Sequence, residues 1–259
     1  MATQPASEPS STQESISTAT PARWKLLDQA RGAALIAMII YHAEWNAVNI
    51  GLVGWTIARN LALQVSARYI AGTYLEISGI AIAQAAARIN EPLNASRRYW
   101  RRLTLVAAAA LLVAGATFIA IPNAPIYFGI LHQIVFTGLV LAALAHAHAF
   151  LAIALGALVL IGDSLLAVPA LNHPSTIWLG LGTRAPITAD WVPVFPWLAA
   201  GLIGFGVGKA YLTPWLSKRP PQERTSGLLG WMGHHSLAIY LIHQPILFGL
   251  IMAYNAVAN

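Results

Sequence analysis

The 259-residue chain has no cysteine and very little charge: only 9% of its residues are Asp, Glu, Lys or Arg, and nine of them are acidic. The missing thiols exclude a disulfide framework, a thiolate zinc site and a cysteine nucleophile. A soluble domain carries about a quarter charged residues. The scarcity of charge therefore excludes a soluble enzyme, a disordered chain and a nucleic-acid binder, the last despite a formal charge of +6 and a pI near 9.9. What is abundant is apolar surface, with 57% hydrophobic residues and a mean hydropathy of +0.61. The class that remains is all-α, a polytopic membrane helix bundle whose basic excess encodes topology.

The first twenty residues hold nine Ser or Thr and no Lys or Arg. Such a stretch buries no core, so 1–22 reads as a disordered tail and 23–259 as one membrane domain. Glu8 and Glu14 stand where a signal peptide would carry cations, so the first apolar segment is expected to remain as a spanning helix. The last apolar run ends close to Asn259, and no second soluble domain is expected.

A helix needs about 20 mainly apolar residues to cross a hydrocarbon core of ~30 Å. Seven segments qualify: 28–47, 68–88, 102–121, 126–145, 149–168, 193–212 and 233–255. The stretch 52–66, with Arg59, Asn60 and Gln64, reads as interfacial rather than as an eighth span. With seven spans and a cytoplasmic N-terminus, one side collects Arg23, Lys25, Arg31, Arg88, Arg97, Arg98, Arg101, Arg102, Lys209, Lys218, Arg219 and Arg224. The other side receives only Arg59, Arg68 and Arg184. That asymmetry follows the positive-inside rule and puts the C-terminus outside; in a bacterium the location is the cytoplasmic (inner) membrane.

Ionisable groups within spans cost a few kcal/mol each and mark pathways or sites. On the first helix Arg31 and His42 are eleven residues apart, about 20° from three full turns, with Asp28 on the same stripe. Their axial separation is roughly 16 Å, so they serve different depths of one cavity. Tyr-Phe-Gly-Ile-Leu-His132-Gln places a second histidine roughly 9 Å below the outer end of span four. Ile-Tyr-Leu-Ile-His243-Gln244-Pro245 places a third in span seven, and Asp190-Trp191 with Pro193, Pro196 and Trp197 forms an outer lip. These groups are expected to share a polar cavity. Glu76 reads as a buried carboxylate partnering Arg68 or a histidine. No pair among the eight histidines has the i, i+4 spacing with a carboxylate, so no metal is expected. Gly180 and Gly182 precede no strand, and Gly201, Gly204, Gly206 and Gly208 lie within a span, where small residues let helices approach closely.

Five segments together resemble one family. They are Asp28-Gln-Ala-Arg31-Gly-Ala-Ala-Leu with Tyr-His42; Arg68-Tyr-Ile-Ala-Gly72-Thr-Tyr-Leu-Glu-Ile-Ser-Gly79; Tyr-Phe-Gly-Ile-Leu-His132; Asp190-Trp-Val-Pro-Val-Phe-Pro-Trp197; and Gly-His-His-Ser236-Leu-Ala-Ile-Tyr-Leu-Ile-His243-Gln-Pro245. Over residues 24 to 250 the chain resembles the bacterial relatives of the heparan-α-glucosaminide N-acetyltransferase catalytic domain. The Arg-x10-His spacing is also shared with type-3 membrane acyltransferases of surface polysaccharides. The resemblance implies acetyl transfer from cytoplasmic acetyl-CoA, consumed as co-substrate, to a sugar or glycan acceptor across the membrane. It implies a lipid bilayer, acetyl-CoA and the acceptor as partners, with no nucleic acid, and leaves a homo-oligomer open.

Under that resemblance His42, His132 and Asp190 are the candidate catalytic groups, with His42 either a general base or an acetyl-carrying nucleophile. Asp28 and Arg31 are the candidate donor-binding pair, assisted by Arg97, Arg98, Arg101 and Arg102. Arg68, Trp191, Trp197, His243 and Gln244 are the candidate acceptor contacts. Two other readings remain open on the sequence. Intramembrane His, Glu and Arg also suit a proton-coupled transporter or flippase, although no internal repeat is evident. A non-catalytic subunit supporting a partner is the third.

Overall fold

The computed structural model describes residues 25–88, 93–217 and 227–258, and the fold within them is all-helical. The tail expected at 1–22, together with Arg23, Lys218, Arg219 and Arg224, lies outside the described residues. Among the described residues seven longer helices overlap the seven apolar segments: α1 (Lys25–Asn49), α2 (Ile57–Arg88), α3 (Arg97–Ala120), α4 (Ile130–Ala143), α5 (Ala149–Leu165), α6 (Val194–Val207) and α9 (Ser236–Ala258). A π-helical turn at Gly208–Leu212 prolongs α6 into the short α7 (Thr213–Ser217), and α8 (Leu228–His234) precedes α9. Three stretches among the described residues are long and apolar enough to cross a membrane: Arg59–Arg88, Arg97–Ala120 and Val194–Trp215. Ile130–Ala143, Ala149–Leu165 and Ser236–Ile251 are shorter apolar helices.

Several boundaries differ from the sequence expectation, each for a local reason. The stretch 52–66 is not a separate interfacial element, because its helical part is the first turns of α2. No Gly or Pro interrupts 57–71, the Thr56 hydroxyl accepts from the Arg59 amide, and Gln64 Nε2 donates to Asn60 Oδ1 at 3.2 Å. Span four begins late, at Ile130, because the chain before it is tied to neighbouring loops. Ile126 N donates to Thr117 Oγ1 at 3.0 Å and Val192 N to Phe128 O at 3.0 Å. Span seven breaks at His235, which caps α8 before α9 starts.

The central helix is α6, buried along most of its length. With Ala83, Leu141 and Ala152 from α2, α4 and α5, its Val194, Leu198, Leu202 and Phe205 form the main core. Glycines set the spacing, as the run Gly201 to Gly208 suggested. Glu76 backbone meets Gly204, and Ile80 meets Gly208, so α2 and α6 run parallel. A Cβ placed on Gly79 would collide with Gly201 O and lie 2.7 Å from Phe205 N, both backbone atoms that have no room to yield. A second close approach joins α1 to α8, where a Cβ on Gly233 would collide with Asp28 O.

The bundle has two distinguishable ends. One carries the start of α1, the end of α2, the first turns of α3 and the loop between α4 and α5, where Lys209 Nζ donates to Ala145 O and Ala147 O at 2.9 and 2.7 Å. The other carries the α1–α2 connection, the segment before α4 and the long α5–α6 connection. They are called below the Arg31 end and the Asp190 end. Large apolar side chains on α3 and α5, among them Leu111, Ile119, Leu158 and Leu165, are exposed on the outside of the bundle. Such a surface suits lipid rather than water.

Candidate active site

A cavity of about 1280 Å³ runs between α1, α2, α3 and α9 and under the segment that leads into α6. Its volume exceeds the ~300–1,000 Å³ typical of small-molecule sites. Arg31, Tyr74 and Arg102 line it toward one end, and Asp190, Trp191 and Trp197 toward the other. His42, His243 and Gln244 line it between them. Arg31 and His42 thus occupy one stripe of α1 at two depths of one space, as their spacing implied.

At the Arg31 end, Asp28 and Arg31 are both buried, and Arg31 Nη1 donates to Asp28 Oδ1 at 3.1 Å. Arg31 lines the cavity; Asp28 stands behind it and holds the guanidinium in place. Of the arginines opening α3, only Arg102 reaches the cavity wall. Its register explains the difference. Arg102, Leu105 and Val106 fall on one face of the helix and all three line the cavity, whereas Arg97, Arg98 and Arg101 do not.

The middle of the cavity holds two imidazoles from different helices. The His42 and His243 ring centroids are 5.1 Å apart. Gln244 Nε2 lies 3.1 Å from His42 Nδ1, and Asn46 Nδ2 donates to Gln244 Oε1 at 3.3 Å. Asn46 is one helical turn beyond His42 on α1, which places both on the face toward α9. His243 Nδ1 lies 2.6 Å from the carbonyl of Tyr240, one turn earlier on α9, while its Nε2 is buried without a hydrogen-bond partner among the described residues.

At the far end Asp190 Oδ2 accepts from the Ile130 amide at 2.8 Å. The carboxylate so caps the positive end of α4 from another segment of chain. Burial among apolar walls pushes the Asp190 carboxyl up to about 6, against the opposing pull of that amide. Trp191 is pinned by its indole N–H, which donates to Ile177 O at 3.3 Å, and Trp197 lies against Gly72 of α2. Arg68 also lines the cavity, with its side chain exposed.

His132 takes a different place. It sits in the first turn of α4, about 3 Å rather than 9 Å along the helix, and is not among the residues lining the cavity. Its Nδ1 accepts from the Gly129 amide at 3.3 Å, closing a capping interaction, and its ring lies against Phe128. Glu76 is exposed on α2 rather than buried, with neither Arg68 nor a histidine as partner among the described residues, and lies outside the cavity wall. Among the described residues no group of three or more His, Asp or Glu is placed to hold a metal ion.

The site also contains residues that the sequence patterns did not single out: Tyr41, Asn46, Tyr74 and Tyr240. Asn46 and Tyr240 had a readable signal, a spacing of one turn from His42 and His243.

The family model for the catalytic domain of heparan-alpha-glucosaminide N-acetyltransferase matches residues 23–245, nearly the whole membrane domain. The chain belongs to this family. No curated protein and no solved structure matches the chain. Membership makes it a membrane protein of an acetyltransferase family, and all five segments that carried the resemblance begin within the matched span.

Proposed function

We propose that the chain is an integral membrane acetyltransferase that takes an acetyl group from acetyl-CoA on one side of the bilayer and delivers it to a hydroxyl or amine of a sugar or glycan on the other. The observation that carries this reading is one cavity with cations at one end, paired imidazoles in the middle and an acid with two indoles at the other. Lys25, Arg31, Arg88, Arg97, Arg98, Arg101, Arg102 and Lys209 all fall toward the Arg31 end, against Arg59, Arg68 and Arg184 toward the other. The positive-inside rule therefore assigns the Arg31 end to the cytoplasm. Helices α1 to α6 and α9 then give seven crossings, a cytoplasmic N-terminus and an outer C-terminus. In a bacterial cell the membrane is the cytoplasmic one.

The physical problem is that the donor and the acceptor approach from opposite sides. A through-cavity removes the need to move either reactant whole. Arg31, fixed by Asp28, and Arg102 offer guanidinium groups to the donor's phosphates, a pairing that favours planar, multiple hydrogen bonds. The thioester then lies at the depth of His42 and His243. Trp191 and Trp197 offer flat faces to a pyranose ring, and Asp190 and Arg68 offer hydrogen-bonding partners to its substituents. Transfer needs a base for the acceptor proton and a donor for the carbonyl oxygen, and the imidazole pair can supply both.

The test is CoA release by the purified chain in nanodiscs, given acetyl-CoA and a panel of amino sugars and glycans. Wild type should release CoA only with an accepted sugar. His42→Ala should abolish release while leaving expression and insertion intact. Full activity in that variant removes His42 from the mechanism, whereas coupled proton and solute flux without CoA release would replace the enzyme by a transporter.

A further inference from the structure

The hydrogen bonds around the two imidazoles are directional, and they give the rings opposite roles. A backbone carbonyl can only accept, so the 2.6 Å contact between His243 Nδ1 and Tyr240 O requires the proton on Nδ1. The lone pair of His243 is then on Nε2, which is buried and has no hydrogen-bond partner among the described residues. At His42 the order is reversed. The side-chain amides are oriented so that Asn46 Nδ2 donates to Gln244 Oε1, which turns the Gln244 amide nitrogen toward His42. That nitrogen can only donate, so His42 Nδ1 accepts and the His42 proton is on Nε2.

From this wiring we infer that His243, not His42, is the general base, and that His42 stabilises the oxyanion. The inference rests on the acetyltransferase reading and deepens it. His243 Nε2 takes the proton from the acceptor's O–H or N–H as that atom bonds to the acetyl carbonyl carbon. His42 Nε2–H donates to the carbonyl oxygen as it becomes negative. Collapse of the tetrahedral intermediate breaks the carbon–sulfur bond, and the His243 proton passes to the leaving sulfur, giving free CoA thiol. Protons and charge balance with no group beyond the two substrates. Gln244 is a positioning residue. Its amide, oriented by Asn46, keeps the His42 proton on the outward nitrogen.

The substitution that separates this assignment from its reverse is Gln244→Glu. A carboxylate at 244 can only accept, so it still satisfies Asn46 Nδ2 but draws the His42 proton to Nδ1. If His42 stabilises the oxyanion, the variant loses its donor, and kcat should fall 10- to 1,000-fold with the acetyl-CoA KM little changed. If His42 were the base, the new carboxylate–imidazole pair would raise or preserve kcat, which overturns the assignment. His42→Gln keeps an N–H near the Nε2 position and should retain at least a tenth of wild-type kcat. His243→Gln supplies no comparable base and should lose 100- to 10,000-fold.

A readout independent of turnover comes from 15N-histidine spectra of the full chain in nanodiscs, assigned with the same variants. Wild type should show His243 protonated on Nδ1 and His42 on Nε2, and Gln244→Glu should move the His42 proton to Nδ1. The reverse pattern in wild type overturns the inference, as does an acetyl adduct on either ring after incubation with acetyl-CoA alone. Correct tautomers without CoA release from any acceptor would instead count against the acetyltransferase reading itself.

Discussion

Replacing Asp190 by asparagine should change how stability depends on pH, by an amount the structure sets. Burial holds the Asp190 carboxyl near 6 rather than 3.8, with the Ile130 amide resisting the rise. The folded chain therefore binds this proton more tightly than the unfolded chain does. Stability from this source is fully present below about pH 4, is lost as the pH rises through about 6, and is flat above that. The displacement is worth about 3 kcal/mol. The carboxamide of the Asp190→Asn variant still offers an oxygen to the Ile130 N–H and has nothing to ionise. Wild type and Asp190→Asn should therefore unfold alike near pH 4, while the variant gains up to about 3 kcal/mol on wild type by about pH 7.5. For a protein of this size that is a rise of several degrees in Tm. Tryptophan fluorescence during heating in detergent, in pH steps from acid to mildly alkaline, reads it directly, and the difference between the two proteins cancels groups they share. Parallel curves across that window would show that Asp190 ionises without penalty, and burial would fail as the cause of its raised carboxyl pKa.

Two further outcomes follow from the packing and from the donor end. Gly79→Ala forces a methyl against the Gly201 carbonyl and the Phe205 amide, so α2 and α6 must separate; a loss of about 1–3 kcal/mol is expected, read as a lower Tm. Gly115→Ala meets nothing within 4 Å and should be neutral or stabilising by up to ~1 kcal/mol, so an equal loss at both sites would remove close packing as the cause. Arg31→Ala should raise the apparent acetyl-CoA KM severalfold with kcat less affected; an unchanged KM would leave Arg31 as an anchor for α1.

The helices were readable because a run of apolar residues has few alternatives. The shared face of Asp28, Arg31 and His42 followed from angular arithmetic alone, and the cluster of cations toward one end from the alternation of spans along the chain. What the sequence obscured depends on neighbours distant in the chain. His132 looks like a mid-span group until the loop carrying Asp190 and Val192 is seen to delay the start of α4 to Ile130. Glu76 looks buried because it lies within an apolar span, yet α6 packs against its backbone through Gly204 and leaves the carboxylate outside. The contact between His42 and Gln244 spans 202 positions, and no local period encodes a pairing at that distance. Arg102 differs from Arg101 only by about 100° of helical rotation, a difference that matters once the cavity's direction is known.

Helix α2 has 32 residues, about 48 Å from end to end, against ~30 Å of hydrocarbon. The surplus is not apolar filler: its first turns carry Asn60 and Gln64, and with Trp55 just before them they line the same cavity as His42. On the proposed topology these turns fall at the outer end of the span, so that this part of the cavity's rim would stand beyond the lipid tails, among headgroups and water. Under the proposed function a hydrophilic acceptor would lose its hydration in stages along such a collar, and lengthening or shortening these turns should alter which acceptors are admitted without touching the reacting centre.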